Sequence, residues 1–128
     1  MLKLNSITEL GVIKIFDNIS VTTISDILNC EKVPKLNFEV NISNYSSGNW
    51  TLSFIGGLLQ EGEYGDIFIP SDEIDTPWKQ IAPITINQNV KRVAHFDWLP
   101  PFLKITATKI GSPGILNLNF SSLERLEI

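Results

Sequence analysis

The sequence has little of the chemistry that metal sites and nucleophilic enzymes need, since its 128 residues include one cysteine, Cys30, and one histidine, His95. One cysteine can form neither an intrachain disulfide nor a cysteine-based zinc site, so Cys30 is predicted to act as a small, half-buried hydrophobe. His95 lies in the apolar run 93–98, and no Gly-x-Ser-x-Gly motif accompanies it. We therefore predict a protein that is not an enzyme and needs no cofactor or metal.

Long apolar runs and basic clusters are also missing, which limits the partners. No stretch approaches the ~20 apolar residues of a membrane-spanning helix, and the N-terminus lacks the apolar run of a signal peptide. The net charge is −4, and the longest basic run is Lys91-Arg92. An acidic domain does not attract the phosphate backbone, so we expect neither nucleic acid nor membrane as a partner.

Alternation of apolar and polar residues is the strongest pattern that is present. Residues 36–43, 50–54, 103–108 and 116–121 alternate with period two, as strands do when one face meets the core and the other meets water. Polar, glycine-containing turns separate these runs in pairs, so two β-hairpins are predicted. The phasing predicts a core of Phe38, Val40, Ile42, Trp50, Leu52, Phe54, Leu103, Ile105, Leu116, Leu118 and Phe120.

Weaker strand patterns occupy much of the remaining chain. Residues 12–16, 78–86 and 90–98 favour strands, the second interrupted by Pro83, and residues 25–28 suggest a single helical turn. About six to eight short strands predict an all-β, antiparallel β-sandwich, with a jelly roll as the alternative. The length suits one domain over 1–128, in which residues 1–9 are a candidate N-terminal arm.

A long glycine-rich and acid-rich stretch at 56–77 contains the candidate interface. Loops longer than about 12–15 residues in compact domains are usually functional or disordered. The apolar side chains of this stretch would form a large exposed patch on a monomer, so we expect them to pack against the sandwich or a neighbouring subunit. These residues are Leu58, Leu59, Tyr64, Ile67, Phe68 and Ile69.

The acidic residues of the same stretch are Glu61, Glu63, Asp66, Asp72, Glu73 and Asp75. Paired carboxylates could serve a glycosidase, but clustering on a loop is not paired geometry in a cleft. Residues 70–75 also lack the spacing and the glycine of an EF-hand loop. We expect a solvated surface, with calcium binding as the alternative.

The order of these segments carries a family resemblance. Alternating strands at 36–43 and 50–57 precede a loop with Gly62 and Gly65, and then Trp78, Ile84-Thr85-Ile86, 93–98, 102–108 and 116–120 follow. In this order, residues 36–120 resemble the small β-sandwich domains of tailed-phage virion proteins, although the loop at 57–77 is longer and more acidic. The resemblance implies a structural role in the virion, in capsid decoration, a head fibre or a tail-associated module. It also implies assembly with copies of the chain and with other virion proteins.

The tryptophans support a second hypothesis, a carbohydrate-binding or adhesion module. Aromatic rings stack on sugars, but Trp50 shares its face with Leu52 and Phe54 and is predicted to be buried. The candidate glycan-stacking residues are therefore Tyr64, Trp78 and Trp98. At least two exposed, coplanar rings would favour this hypothesis over a virion role.

Overall fold

Strands joined by turns make up the described part of the chain. The computed structural model describes residues 2–3, 12–31, 36–70, 78–80, 83–96 and 100–122. Within these ranges there is no helix, and the strands are β1 Leu2–Lys3, β2 Val12–Ile19, β3 Thr23–Ile24, β4 Leu28–Asn29, β5 Leu36–Ser43, β6 Asn49–Gly57, β7 Gly65–Asp66, β8 Phe68–Pro70, β9 Trp78–Gln80, β10 Ile84–Ile86, β11 Val90–Phe96, β12 Phe102–Ile110 and β13 Ile115–Ser122. The predicted all-β class is confirmed. More strands are present than predicted because many have only two or three residues.

Two sheets form the sandwich. The first has the order β1-β4-β12-β6-β10, with β3 also paired to β12 and β7 to β6. The second has the order β11-β5-β13-β2, and β8 pairs with β9 in a separate two-stranded ribbon. All of these pairs are antiparallel except β1 with β4. Buried residues of both sheets belong to one hydrophobic cluster, which confirms the predicted β-sandwich.

The strand order is that of a jelly roll. Both β3 and β4 lie on the side of β12 that faces away from β6, so they act as one interrupted strand. With these two counted together, the sandwich strands in chain order are β2, β3/β4, β5, β6, β10, β11, β12 and β13. Numbered from one to eight, they form sheets of order 2-7-4-5 and 6-3-8-1. This is the double Greek-key arrangement that the sequence left as the alternative.

Both predicted hairpins are wrong, because each turn carries the chain from one sheet to the other. Strand β5 pairs with β11 and β13, whereas β6 pairs with β12 and β10. The two strands on either side of each turn therefore face each other across the core and share no backbone hydrogen bonds. Alternation cannot distinguish the two cases, since a hairpin and a cross-sheet turn place the same residues in the core.

The two cross-sheet turns, residues 44–48 and 111–114, lie side by side; we call them the arch pair. The N–H groups of Ser46 and Ser47 donate to the Ser112 carbonyl at 3.0 and 2.9 Å, and the Ser112 N–H donates to the Ser47 carbonyl at 3.1 Å. Gly48 and Gly111 adopt φ values of 75° and 76°, a region that glycine enters without strain. The arch pair thus joins two turns that are far apart in sequence.

The predicted core is confirmed at all eleven positions, which are buried in the structure. Trp50, Leu118 and Phe120 have no exposed surface. The cluster also includes four residues outside the predicted core list, Phe16, Leu28, Cys30 and Ala107, and Phe102 is buried as well. Ala107 follows the alternation of Leu103 and Ile105, whereas Leu28 lies on a strand too short to show a period.

The helical turn predicted at residues 25–28 is also wrong. Ser25 links β3 to β4 along the edge of β12, and its N–H donates to the Ile105 carbonyl at 2.8 Å. Its hydroxyl accepts a hydrogen bond from the Ile105 N–H at 2.9 Å. The Ser25 hydroxyl thus accepts the hydrogen bond that a strand carbonyl would otherwise accept. The segment therefore runs along the edge of β12 although the regular strand hydrogen bonding is interrupted.

Candidate functional site

The segment that follows β6 presents the most exposed apolar side chains of the described residues. We call residues 58–64 the leucine loop. Leu58 is 79% exposed and Leu59 is 70% exposed. The Gly62 N–H donates to the Leu59 carbonyl at 3.1 Å, which closes the loop into a turn. Glu61 and Glu63 are also exposed. The loop therefore combines two adjacent leucines with two carboxylates on one projecting turn.

Tyr64 fixes the end of this loop to the sheet. Its hydroxyl donates to the Gln60 carbonyl at 2.9 Å, and the Lys104 Nζ lies 5.1 Å from the centre of its ring. Such a distance suits a cation–π contact. One face of the Tyr64 ring is therefore covered by Lys104, so this residue is positioned more for supporting the loop than for stacking on a sugar.

The other predicted interface and glycan residues are only partly described. Ile67 is half-buried and packs against the core, which is one of the two environments expected for it. Phe68 and Ile69 lie on β8, which pairs with β9, where Trp78 begins the strand. The side chains of these three residues, and the whole of Trp98, lie outside the described part of the chain.

Metal binding and nucleophilic chemistry require side chains such as His, Cys, Asp and Glu. Within the described ranges, no group of three or more His, Cys, Asp or Glu residues is placed to hold a metal ion. His95 lies on β11 opposite Asn37. Burial raises the pKa of the Cys30 thiol to about 12, which keeps it protonated and a poor nucleophile at neutral pH. In the same ranges, no helix is long and apolar enough to cross a membrane.

A groove between the outer strands β10 and β11 was not predicted from the sequence. We call it the seam groove. It has a volume of about 230 Å³. The apolar residues that line it are Phe38, Val40, Ile84, Ile86, Val90 and Ala94, and its polar lining residues are Thr85, Asn87, Gln88 and Arg92. It is therefore a mixed groove, mostly apolar, with one guanidinium group and several uncharged polar groups.

The register of β11 explains why this groove is open. Arg92 lies opposite Val40 and Ala94 lies opposite Phe38, so both point toward the inner side of their sheet. Both are nevertheless exposed, whereas Val40 and Phe38 are buried. The opposing strand β10 has only three residues, which are too few to cover them. The sandwich therefore remains open along this edge.

One residue in the sequence, Arg92, indicates the seam groove. Composition alone shows only that Lys91-Arg92 is the longest basic run. Arg92 lies midway between Val90 and Ala94, and its pairing with Val40 places it in the inward phase, although Val93 shows that the strand is not strictly alternating. Charged residues are rarely placed in an interior without a partner, so an inward-phase arginine indicates an open edge or a bound anion.

A second, polar hollow lies on the outer face of the sheet that contains β5 and β13. We call it the amide hollow. Its volume is about 250 Å³, and its lining includes Asn37, Glu39, Val93, Asn119 and Ser121. The Asn119 Nδ2 donates to the Glu39 Oε1 at 3.3 Å, and the Asn119 Oδ1 is buried with no hydrogen-bond partner among the described residues. The hollow is therefore lined by hydrogen-bonding amide and carboxylate groups.

Comparison with known proteins adds no relative: no protein-family model matches the chain, and no curated protein matches it. The strand order and the three surfaces described above therefore carry the functional argument.

Proposed function

We propose that this chain is a non-enzymatic structural protein of a phage virion. It acts through protein–protein contacts in capsid decoration, head-fibre assembly or tail assembly. It associates with copies of itself and with other virion proteins.

The strand order supports this proposal at the level of fold. Jelly rolls build viral capsid domains, although they also build lectin domains and cupins, so the fold alone does not decide the function. The resemblance of residues 36–120 to small virion β-sandwich domains favours the first of these uses.

The exposure of the leucine loop is the observation that best supports the proposal. Leu58 and Leu59 are adjacent, and they are 79% and 70% exposed. Fully burying a leucine contributes about 1.5–3 kcal/mol, so two exposed neighbours are a strong driving force for association. Glu61 and Glu63 beside them keep the free chain soluble and restrict which partners fit.

The test measures the mass of the purified chain in solution at micromolar concentration. We expect a discrete oligomer, and we expect Leu58→Ser with Leu59→Ser to shift it toward the monomer. The matched control is Val21→Ser with Ile24→Ser, since these residues are 62% and 63% exposed but belong to the segment between β2 and β4 and not to the loop. A monomeric parent whose mass none of these changes affects contradicts the proposal.

One observation favours the alternative of a carbohydrate-binding or adhesion module. In the amide hollow, Glu39 and Asn119 lie side by side and are joined by a hydrogen bond. Carboxylate and amide groups of this kind can hydrogen-bond sugar hydroxyls. Calorimetric titration with neutral monosaccharides tests it. A monomeric parent that binds a sugar, in a manner abolished by Asn119→Leu, would favour the glycan hypothesis.

A further inference from the structure

We propose that the leucine loop of one copy docks into the seam groove of the next copy. This inference rests on the proposed function, because it specifies how the chain associates with itself. The groove is mostly apolar, with uncharged polar residues and one guanidinium at Arg92, and the loop presents two leucines with carboxylates at Glu61 and Glu63. The apolar side chains of the two surfaces can pack together, and their charges are opposite.

The sizes of the two surfaces are compatible. A cavity of about 150 Å³ holds a molecule as large as benzene. The seam groove, at about 230 Å³, therefore has room for roughly one or two leucine side chains. Leu58 and Leu59 project from a turn closed by the Gly62 to Leu59 hydrogen bond, so they can enter a groove without unfolding a strand.

Charge favours this occupant as well. In the described part of the chain, no carboxylate lies within salt-bridge distance of Arg92. Lys91, the residue before it on the same edge strand, carries a second positive charge. Glu61 and Glu63 lie two and four residues beyond Leu59, so they reach the groove rim when the leucines occupy its floor. Ion pairs of this kind fix the orientation of a contact more than they add affinity.

Within one copy, the leucine loop does not occupy the groove, since no residue of 58–64 is among those that line it. Strand β10 pairs with β6 at Leu52, Thr51 and Trp50, and the leucine loop begins six residues beyond Leu52. The contact is therefore head to tail between copies. Head-to-tail contacts form a ring when the rotation closes and a filament when it does not.

The experiment uses two variants, each lacking one half of the contact. The loop variant carries Leu58→Ser and Leu59→Ser and retains the groove. The groove variant carries Arg92→Glu and retains the loop. We expect each variant alone to be monomeric at a concentration at which the parent is oligomeric, with the dissociation constant raised at least about tenfold. Mixed in equal amounts, the two variants should form a species with the mass of two chains and nothing larger.

The control for charge reversal is Lys14→Glu, which lies on β2 at the opposite edge of the same sheet. It should assemble as the parent does, and circular dichroism should show that all variants are folded. If the parent and the groove variant are equally oligomeric while the loop variant is monomeric, the inference is overturned and the proposed function stands. A monomeric parent overturns both.

The groove could instead hold a small amphipathic carboxylate, and octanoate is a suitable probe. Calorimetric titration in which octanoate binds the parent but not Arg92→Glu, while both proteins have the same oligomeric mass, would reassign the groove and overturn docking between copies. Competition between octanoate and assembly would support the inference, because both would then require the same groove.

Discussion

Replacing Gly48 with alanine tests the arch pair directly. Gly48 has a φ of 75°, and a Cβ atom added there would overlap the Ile110 carbonyl oxygen. It would also lie 2.6 Å from the Ile110 carbonyl carbon and 2.9 Å from the Gly111 Cα. These are backbone atoms, which cannot rotate away as a side chain could. The alanine is accommodated only if the two turns separate.

The cost has two parts. A left-handed backbone costs an L-residue about 1–2 kcal/mol. Separating the turns also breaks the hydrogen bonds that Ser46, Ser47 and Ser112 exchange, at about 1 kcal/mol for each bond. We therefore expect Gly48→Ala to lower the free energy of unfolding by about 4–5 kcal/mol, a large share of the ~5–15 kcal/mol that stabilises an ordinary domain.

Urea unfolding followed by tryptophan fluorescence measures this loss, and Gly65→Ala is the matched control. Gly65 has no atom within 4 Å of an added Cβ, and its φ lies outside the left-handed region. Its substitution should change stability by less than about 1 kcal/mol in either direction. If Gly48→Ala were as mild as Gly65→Ala, the arch pair would not be the tight junction that the structure describes.

Three further predictions concern the core, the buried thiol and metals. Phe54→Ala should lower the free energy of unfolding by about 3–5 kcal/mol, because its ring is buried between the sheets; a loss below ~1 kcal/mol would contradict that placement. Burial raises the pKa of Cys30 from 9.0 to about 12. The contribution of the protonated thiol to the free energy of unfolding is therefore complete below pH 9. Above pH 9 only the unfolded chain ionises, so the free energy of unfolding falls by up to about 1.4 kcal/mol per pH unit. Stability of the parent should therefore fall more steeply above pH 9 than that of Cys30→Ala, and identical pH slopes would refute this. EDTA should leave the melting temperature unchanged, and a loss restored by calcium would instead assign a site to the acidic residues of 61–75.

Alternation along the strands predicted which side chains are buried, but not which strands are neighbours. The positions of Phe38, Trp50 and Phe120 follow from period two alone, because each strand has only two faces. The assignment of β5 and β6 to different sheets depends on how the turn at 44–48 directs the chain. That turn is fixed by its contact with Ser112, a residue far away in sequence, and no local pattern contains this information.

The two candidate surfaces differ in the same way. The leucine loop could be predicted because Leu58 and Leu59 follow a strand end in a polar stretch, so their exposure depends on local sequence. The seam groove could not, because it results from the shortness of β10 opposite β11. Arg92 gave a local sign of it, but only the register with Val40 shows that its side chain points inward.

The two turns of the arch pair also determine when the protein can fold during synthesis, because each connects one sheet to the other. Strand β13 lies between β5 and β2, and β12 lies between β6 and the β3/β4 edge, so the last two strands join both sheets at their centres. A nascent chain that ends before Phe102 lacks the central strand of each sheet, so the strands on either side of it are not joined. Its alternating apolar faces therefore remain exposed to water. Pairing between consecutive strands is limited to the short pairs β6 with β7 and β8 with β9 in the described ranges, so completion of both sheets must await β12 and β13, and long-range pairing of this kind is slow. Until those strands emerge, the growing chain exposes apolar surface that favours aggregation.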